Sequence, residues 1–222
     1  METNRHTEGV SGQERHSFRT FSSAFAGMPV IPLSEIRLRF PEMHRSRLSQ
    51  WQERGLLQKV RQGFYRLADR PLTEAERLAI ANAIHAPSYV SLRTALGAHG
   101  FIPEGVFHVE SVTTLNTKHY AYAGTEYSYR HVRPSFYFGY QFVQLGAIRV
   151  MMAGPEKALL DLLYLEPDAD GPEAFEAWRL NADDILEKVD LVRMDDFAAS
   201  AGSRALSTRY RRLKKWLHDH TG

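Results

Sequence analysis

The stretch Gly55-Leu56-Leu57-Gln58-Lys59-Val60-Arg61-Gln62-Gly63-Phe64-Tyr65-Arg66-Leu67 decides how the first third of the chain folds. Two short apolar runs flank Arg61-Gln62-Gly63, the pattern of a β-hairpin with glycine in its turn. Gly55 is placed to end a preceding helix. That helix is expected from about Glu42 to Arg54, with Pro41 closing one helix and opening the next. Leu48 and Trp51 share its inward face, joined by Met43 and Leu56. The other face is polar and carries three arginines, Arg45, Arg47 and Arg54.

Two more helices are expected upstream. Ser17 to Ala26 places Phe18, Phe21 and Phe25 at helical spacing, and Gly27-Met28-Pro29 breaks it. Ser34 to Arg39 is the second, with Ile36 and Phe40 turned inward. Three helices followed by a basic hairpin is the plan of a winged helix-turn-helix. An α-helix fits the major groove, where arginine and glutamine can pair two-pronged with guanine and adenine edges. The candidates for base contact are Arg45, Arg47 and Gln50, with His44, Ser46 and Arg54 beside them. On the wing, Lys59, Arg61 and Arg66 are expected against phosphates, which add affinity without sequence choice. Helical subdomains with solvated arginines, and winged helices that bind proteins, are the competing readings of the same pattern.

Outward from this stretch, charge is unevenly spread. The 222 residues carry a net +2, yet residues 1–72 balance at +5, residues 73–199 at −8 and residues 200–222 at +5. Segments of opposite sign suggest different partners. The polar start, residues 1–16, reads as a disordered tail rather than a signal peptide. The uncharged stretch near the middle, Pro134 to Ile148, is too short to span a bilayer, so no membrane partner is expected. Cysteine is absent, which excludes disulfide scaffolds, thiolate metal sites and cysteine nucleophiles. A reducing cytoplasm is the expected home.

The expected class is α+β, with a winged helix-turn-helix domain over 17–71 and a mixed α/β domain over 72–222. Thr73 and Glu76 form a capping-box pattern for a helix to about Ile84. Pro87 to Val90 leads into a helix over Ser91 to His99, ended by Gly100. Strands are expected at 107–114, 120–123, 127–132, 136–138, 142–144 and 147–151, forming an antiparallel sheet. Pro155 opens a helix to Leu165, and Glu173 to Leu217 is mostly helical. At the end, Leu206, Tyr210, Leu213 and Leu217 recur at amphipathic spacing. The other faces carry Arg204, Arg209, Arg211, Arg212, Lys214 and Lys215. Arg209, Arg211, Arg212, Lys214 and Lys215 form a candidate second patch for nucleic acid or a partner, against the simpler reading of a docking helix with a charged outer face.

Several motifs together resemble AbiEi-type antitoxins. They are Pro87-Ser88-Tyr89-Val90-Ser91-Leu92 with Ala95-Leu96 and His99-Gly100, then Glu156-Lys157-Ala158-Leu159-Leu160-Asp161-Leu162-Leu163, and the hairpin run 55–65. The resemblance covers roughly residues 30–165 in order. It implies a DNA-binding transcriptional repressor that autoregulates a type IV toxin–antitoxin operon linked to abortive phage infection. It also implies that the C-terminal domain counteracts a nucleotidyltransferase toxin encoded beside it, not necessarily by stable contact. Some relatives are stand-alone regulators. An operator of inverted repeats shared by two copies is the expected duplex partner.

Read from the residues alone, Tyr89, Leu92, Ala95 and Leu96 are packing residues, and Asp161 lies one turn after Lys157, where the two could bridge on the helix surface. No catalytic site is expected. Asp183-Asp184 and Asp195-Asp196 lack the glycine turn that a magnesium-dependent transferase would need, and read as caps or solvated faces. There is no phosphate-cradling glycine loop. Among ten histidines, His218 and His220 lie in a frayed end, so neither metal nor cofactor is expected. An enzyme carrying a DNA-binding module, or a pure protein-interaction module, stays open as the alternative class.

Overall fold

The computed structural model describes residues 17–103, 108–166, 168 and 171–220. The expected tail over 1–16, and the start of the strand expected at 107, lie outside them. The chain divides into two compact units, Met1–Pro71 and Leu72–Gly222. Together they form a mixed α+β structure with helices and a mixed sheet.

The first unit runs α1 (Phe18–Ala24), β1 (Ile31–Pro32), α2 (Leu33–Arg39), α3 (Arg45–Glu53), β2 (Leu57–Arg61) and β3 (Phe64–Leu67). Ser17 caps α1 by accepting from the Thr20 amide at 3.1 Å. Phe21, Phe25, Ile36, Leu48, Trp51 and Leu57 are buried together, and Phe21 packs at 4.7 Å from the Trp51 ring. Aromatic rings dominate because so small a unit must bury much area per side chain. Helix α3 starts three residues later than the spacing predicts. Pro41 and Glu42 instead form a turn, in which the Met43 amide donates to the Phe40 carbonyl. That turn brings both Phe40 and Met43 onto the core, so the chain is still extended at His44, the N-cap.

At its other end α3 closes on Gly55. The Leu56 amide donates to Trp51 and the Gly55 amide to Gln52, both at 2.9 Å, with Gly55 at φ +68°. This pair of bonds satisfies two orphan carbonyls and needs a left-handed residue, which glycine supplies without strain. The hairpin follows at once. Strand β3 pairs with β2 on one side and β1 on the other, and the Leu33 amide donates to the Gly63 carbonyl in the hairpin turn at 2.8 Å.

The second unit begins with α4 (Glu74–Ile84), whose capping box is present at Thr73 and Glu76. It continues through β4 (Ser88–Val90), α5 (Leu92–Ala98), β5 (His108–Thr113), β6 (Lys118–Tyr122), β7 (Thr125–His131), β8 (Tyr140–Leu145) and β9 (Ile148–Ala153). Then come α6 (Pro155–Leu165), α7 (Pro172–Ala177), α8 (Ala182–Lys188), α9 (Leu191–Ser200) and α10 (Arg204–Asp219). The six strands lie in the order β6-β7-β5-β4-β9-β8. The antiparallel expectation is corrected, because β5 pairs with β7 and β4 with β9 in parallel. For β7 the reason is the excursion of β6, which forms a hairpin with β7 and returns it alongside β5 in the same direction. The strand expected at 136–138 is absent: Phe136 ends a 3-10 turn over Pro134–Phe136, and residues 137 and 138 lie outside any strand. Strand β4, in turn, is too short for its alternation to stand out in sequence.

Helix α6 is the centre of this unit. All residues from Glu156 to Leu163 are buried. The Lys157–Asp161 bridge therefore does not lie on the helix surface, where spacing alone would put it. Both side chains are 0% exposed. The Lys157 ammonium donates to Asp161 Oδ1, while Tyr89 and Ser91 hydroxyls donate to Oδ2 at 3.0 and 2.7 Å. Aromatic faces close the box. The ammonium sits 3.5 Å from the centre of the Phe136 ring and 5.2 Å from that of Phe138. Burial pushes the Asp161 carboxyl up and the Lys157 amine down, and each partner's charge pulls the other back toward ionisation. A Cβ on Gly139 would come within 3.0 Å of Lys157, so the loop above the pair has room for glycine alone.

Breaking such a pair strands a buried charge, which costs about 3–5 kcal/mol, whereas replacing both partners with apolar groups can be near neutral. Urea unfolding is expected to show Lys157→Met and Asp161→Leu each losing stability of that order. The double variant should lose less than either single one. Additive losses would contradict a directly coupled pair.

Candidate nucleic-acid interface

Helix α3 buries Leu48 and Trp51 and leaves Arg45, Ser46, Arg47, Ser49, Gln50, Glu53 and Arg54 exposed. Helical spacing spreads these side chains over more than one direction. Arg45 opens a cleft of about 750 Å³ that it shares with Arg37 of α2 and with Lys59, Gln62 and Tyr65 of the hairpin. Arg47 and Gln50 lie on the other shoulder, in a shallower depression of about 430 Å³ with Glu42, His44 and Ser46. The three residues expected together at the bases thus divide. Arg45 belongs with the hairpin, and Arg47 with Gln50.

His44 is the N-cap and makes no side-chain capping bond. Arg54 occupies the C-cap of the same helix. Lys59 is exposed, and Arg61 is half-buried with its guanidinium 5.7 Å from the centre of the Phe64 ring.

Arg66 does not belong with them. It is 5% exposed, donating to Gln58 Oε1 at 3.1 Å and to the Arg70 carbonyl at 2.8 Å. A register shift between Lys59 and Arg61 breaks the alternation on β2, leaving Gln58 and Lys59 both exposed, and Arg66 is the cross-strand partner of Gln58. Strict alternation hides this. Conversely, Arg37 and Gln62 join the cleft, though the sequence pattern does not single them out. Arg37 directly follows the inward-facing Ile36, a spacing that turns it outward.

The electrostatics of α3 are unusual. Arg45 and Arg47 stand in its first turn and no acidic residue does. A helix start carries partial positive charge, which disfavours nearby cations by about 0.3–1 kcal/mol each. An anion beside the helix start would relieve the arrangement.

In the second unit, the basic helix α10 buries Leu206, Tyr210, Leu213, Trp216 and Leu217. Two of its five predicted patch residues are engaged within the unit, one half-buried and one in a surface ion pair. Arg209 is half-buried and donates to the Leu163 carbonyl at 2.9 Å, and Lys214 pairs with Asp195 at 2.8 Å. Arg211, Arg212 and Lys215 are exposed. Asp184 bonds to Lys188 at 3.2 Å within α8, consistent with a surface role. Among the described residues, no three histidine, aspartate or glutamate side chains converge as a metal site. Among them also, no helix is long and apolar enough to cross a membrane.

No family model matches the chain. No curated protein matches it either. Among solved structures, the crystal structure of the RV2827C protein from Mycobacterium tuberculosis is similar, with a TM-score of 0.52 at 14% identity. The match covers 91% of this chain and 83% of that one. At that identity the likeness concerns fold alone.

The split between Arg66 and its neighbours is measurable. Arg66→Ala is expected to lower stability by about 1–2 kcal/mol in thermal unfolding, through broken hydrogen bonds and poorer packing. Lys59→Ala should stay within about 0.5 kcal/mol. Equal effects would show that Arg66 is as solvated as Lys59.

Proposed function

We propose that this protein is a DNA-binding transcriptional repressor whose first unit is a winged helix-turn-helix. In this reading α2 and α3 are the helix-turn-helix, α3 enters the major groove, and the β2–β3 hairpin is the wing. The observation that carries it is the start of α3, where two exposed arginines stand in a first turn that contains no acidic residue, with Glu42 in the turn before it. Such an arrangement is costly in the free protein and favourable beside a phosphate backbone. Arg47 and Gln50, on one shoulder, are the base-reading pair, with His44 and Ser46 next to them. Arg45, Lys59 and Arg61 follow the backbone from the cleft side, with Arg37 added. Arg54 lies at the far end of α3. The partner is a double-stranded operator, taken up by two copies.

The antitoxin half of the proposal rests on the AbiEi resemblance. It has the second unit antagonise a nucleotidyltransferase toxin encoded beside it, in the cytoplasm. The motifs that carry the resemblance are core residues. Tyr89, Leu92, Ala95 and Leu96 are buried, as are Lys157 and Asp161. They specify the scaffold, so antagonism would work through some other surface of this unit. The second reading, a regulator without a toxin partner, draws on that same observation.

Fluorescence anisotropy on a duplex from the gene's own upstream region tests the regulator. Arg47→Ala with Gln50→Ala is expected to remove discrimination between that duplex and a scrambled one, at about 1–3 kcal/mol for each base contact removed. Lys59→Ala should weaken both duplexes alike and reduce the salt slope by about 0.9. A folded double variant that discriminates as well as the wild type would remove α3 as the reading element.

A further inference from the structure

We propose that the outer face of α10 is a second surface for duplex DNA, contacting phosphates and not bases. The inference rests on the DNA-binding reading above but concerns the second unit alone. On a helix, residues 204, 208, 211 and 215 fall on one line, because 3.6 residues make a turn. Here they are Arg204, Thr208, Arg211 and Lys215. The three cations are exposed and make no ion pair among the described residues. They are separated along the axis by ~10 Å and ~6 Å at 1.5 Å per residue. The line runs opposite the buried stripe of Leu206, Tyr210, Leu213 and Leu217, so it takes no part in packing. It contains no acidic residue; the one carboxylate of the helix, Asp219, is its last residue. Arg133 adds a further cation near the start of the line, its guanidinium lying against Gly202.

The chemistry of the face narrows its partner. Protein interfaces are anchored by buried aromatic or apolar side chains, around which arginine is common and lysine scarce. This line has no such anchor. Single-stranded nucleic acid needs rings on which bases stack, and the helix's Tyr210 and Trp216 are buried. What is left is a row of long, flexible cations at a spacing that follows a regular polyanion. A duplex backbone is such a polyanion, with charges fixed at short intervals along its axis. The acidic remainder of the second unit makes the segregation pointed, since residues 73–199 carry −8 while residues 200–222 carry +5.

The test is the salt dependence of duplex binding by the full chain, comparing wild type with the triple variant Arg204→Gln, Arg211→Gln, Lys215→Gln. Far-UV circular dichroism and Tm should be unchanged, because none of the three packs. Removing three cations that each neutralise a phosphate should lower the slope of log K against log salt by roughly 2–3. The weakening should be equal on the upstream and scrambled duplexes, leaving discrimination intact. If wild type binds DNA and the slope is unmoved, this inference falls and the regulator reading stands. If wild type binds neither duplex, both fall together. A slope lowered only on duplex RNA of the same sequence overturns the proposal in favour of an RNA backbone.

Discussion

The second unit depends on a charge pair that water never reaches. Lys157 and Asp161 face each other one turn apart on α6, and their remaining valences are met by Tyr89, Ser91 and the faces of Phe136 and Phe138. Each group comes from a different part of the fold: strand β4, the residue leading into α5, the 3-10 turn and the loop before β8. Apolar packing would tolerate small shifts among these parts. A buried ion pair does not, because any displaced donor leaves a charge unsolvated. Displacing any one of these parts therefore costs more than loosening an apolar contact would.

In the first unit the constraint is different in kind. Its core is a cluster of rings, satisfied by many arrangements of similar volume. What defines its outer chemistry is the place at which α3 begins. Because the Phe40–Met43 turn delays the helix to Arg45, two arginines fall in the first turn, one on each flank. Starting at Glu42 would have placed a carboxylate there and moved Arg45 and Arg47 into the helix interior. A shift of three residues thus separates a helix start with its own carboxylate from one with two arginines in its first turn.

Much of this is legible in the sequence. The helices, the Gly55 cap, the capping box at Thr73 and the amphipathic stripe of α10 are local devices, and local periodicity records them. The failures are non-local. The parallel pairing of β5 with β7 follows from how β6 excurses and returns, and that of β4 with β9 joins residues as far apart as Val90 and Met152, which no window of residues encodes. Lys157 and Asp161 read as a surface pair because spacing reports which side chains are neighbours, but not whether a helix is covered on every side. Arg66 is misplaced for a related reason, since its guanidinium turns back onto Gln58 and the Arg70 carbonyl, contacts that alternation along a strand does not report. At the candidate interface, residue types are readable but their grouping is not. It takes the hairpin's position against α2 and α3 to set Arg45 with Lys59 and apart from Arg47.

The bond between the Leu33 amide and the Gly63 carbonyl bears on how such a protein could change. It fastens the tip of the hairpin through main-chain atoms, so the clasp itself does not depend on which side chains the tip carries. A descendant could exchange the exposed Gln62 while inheriting the same clasp, whereas Arg61, half-buried against the Phe64 ring, would carry a packing cost. Diversification at this tip would then proceed by single steps, beginning at Gln62.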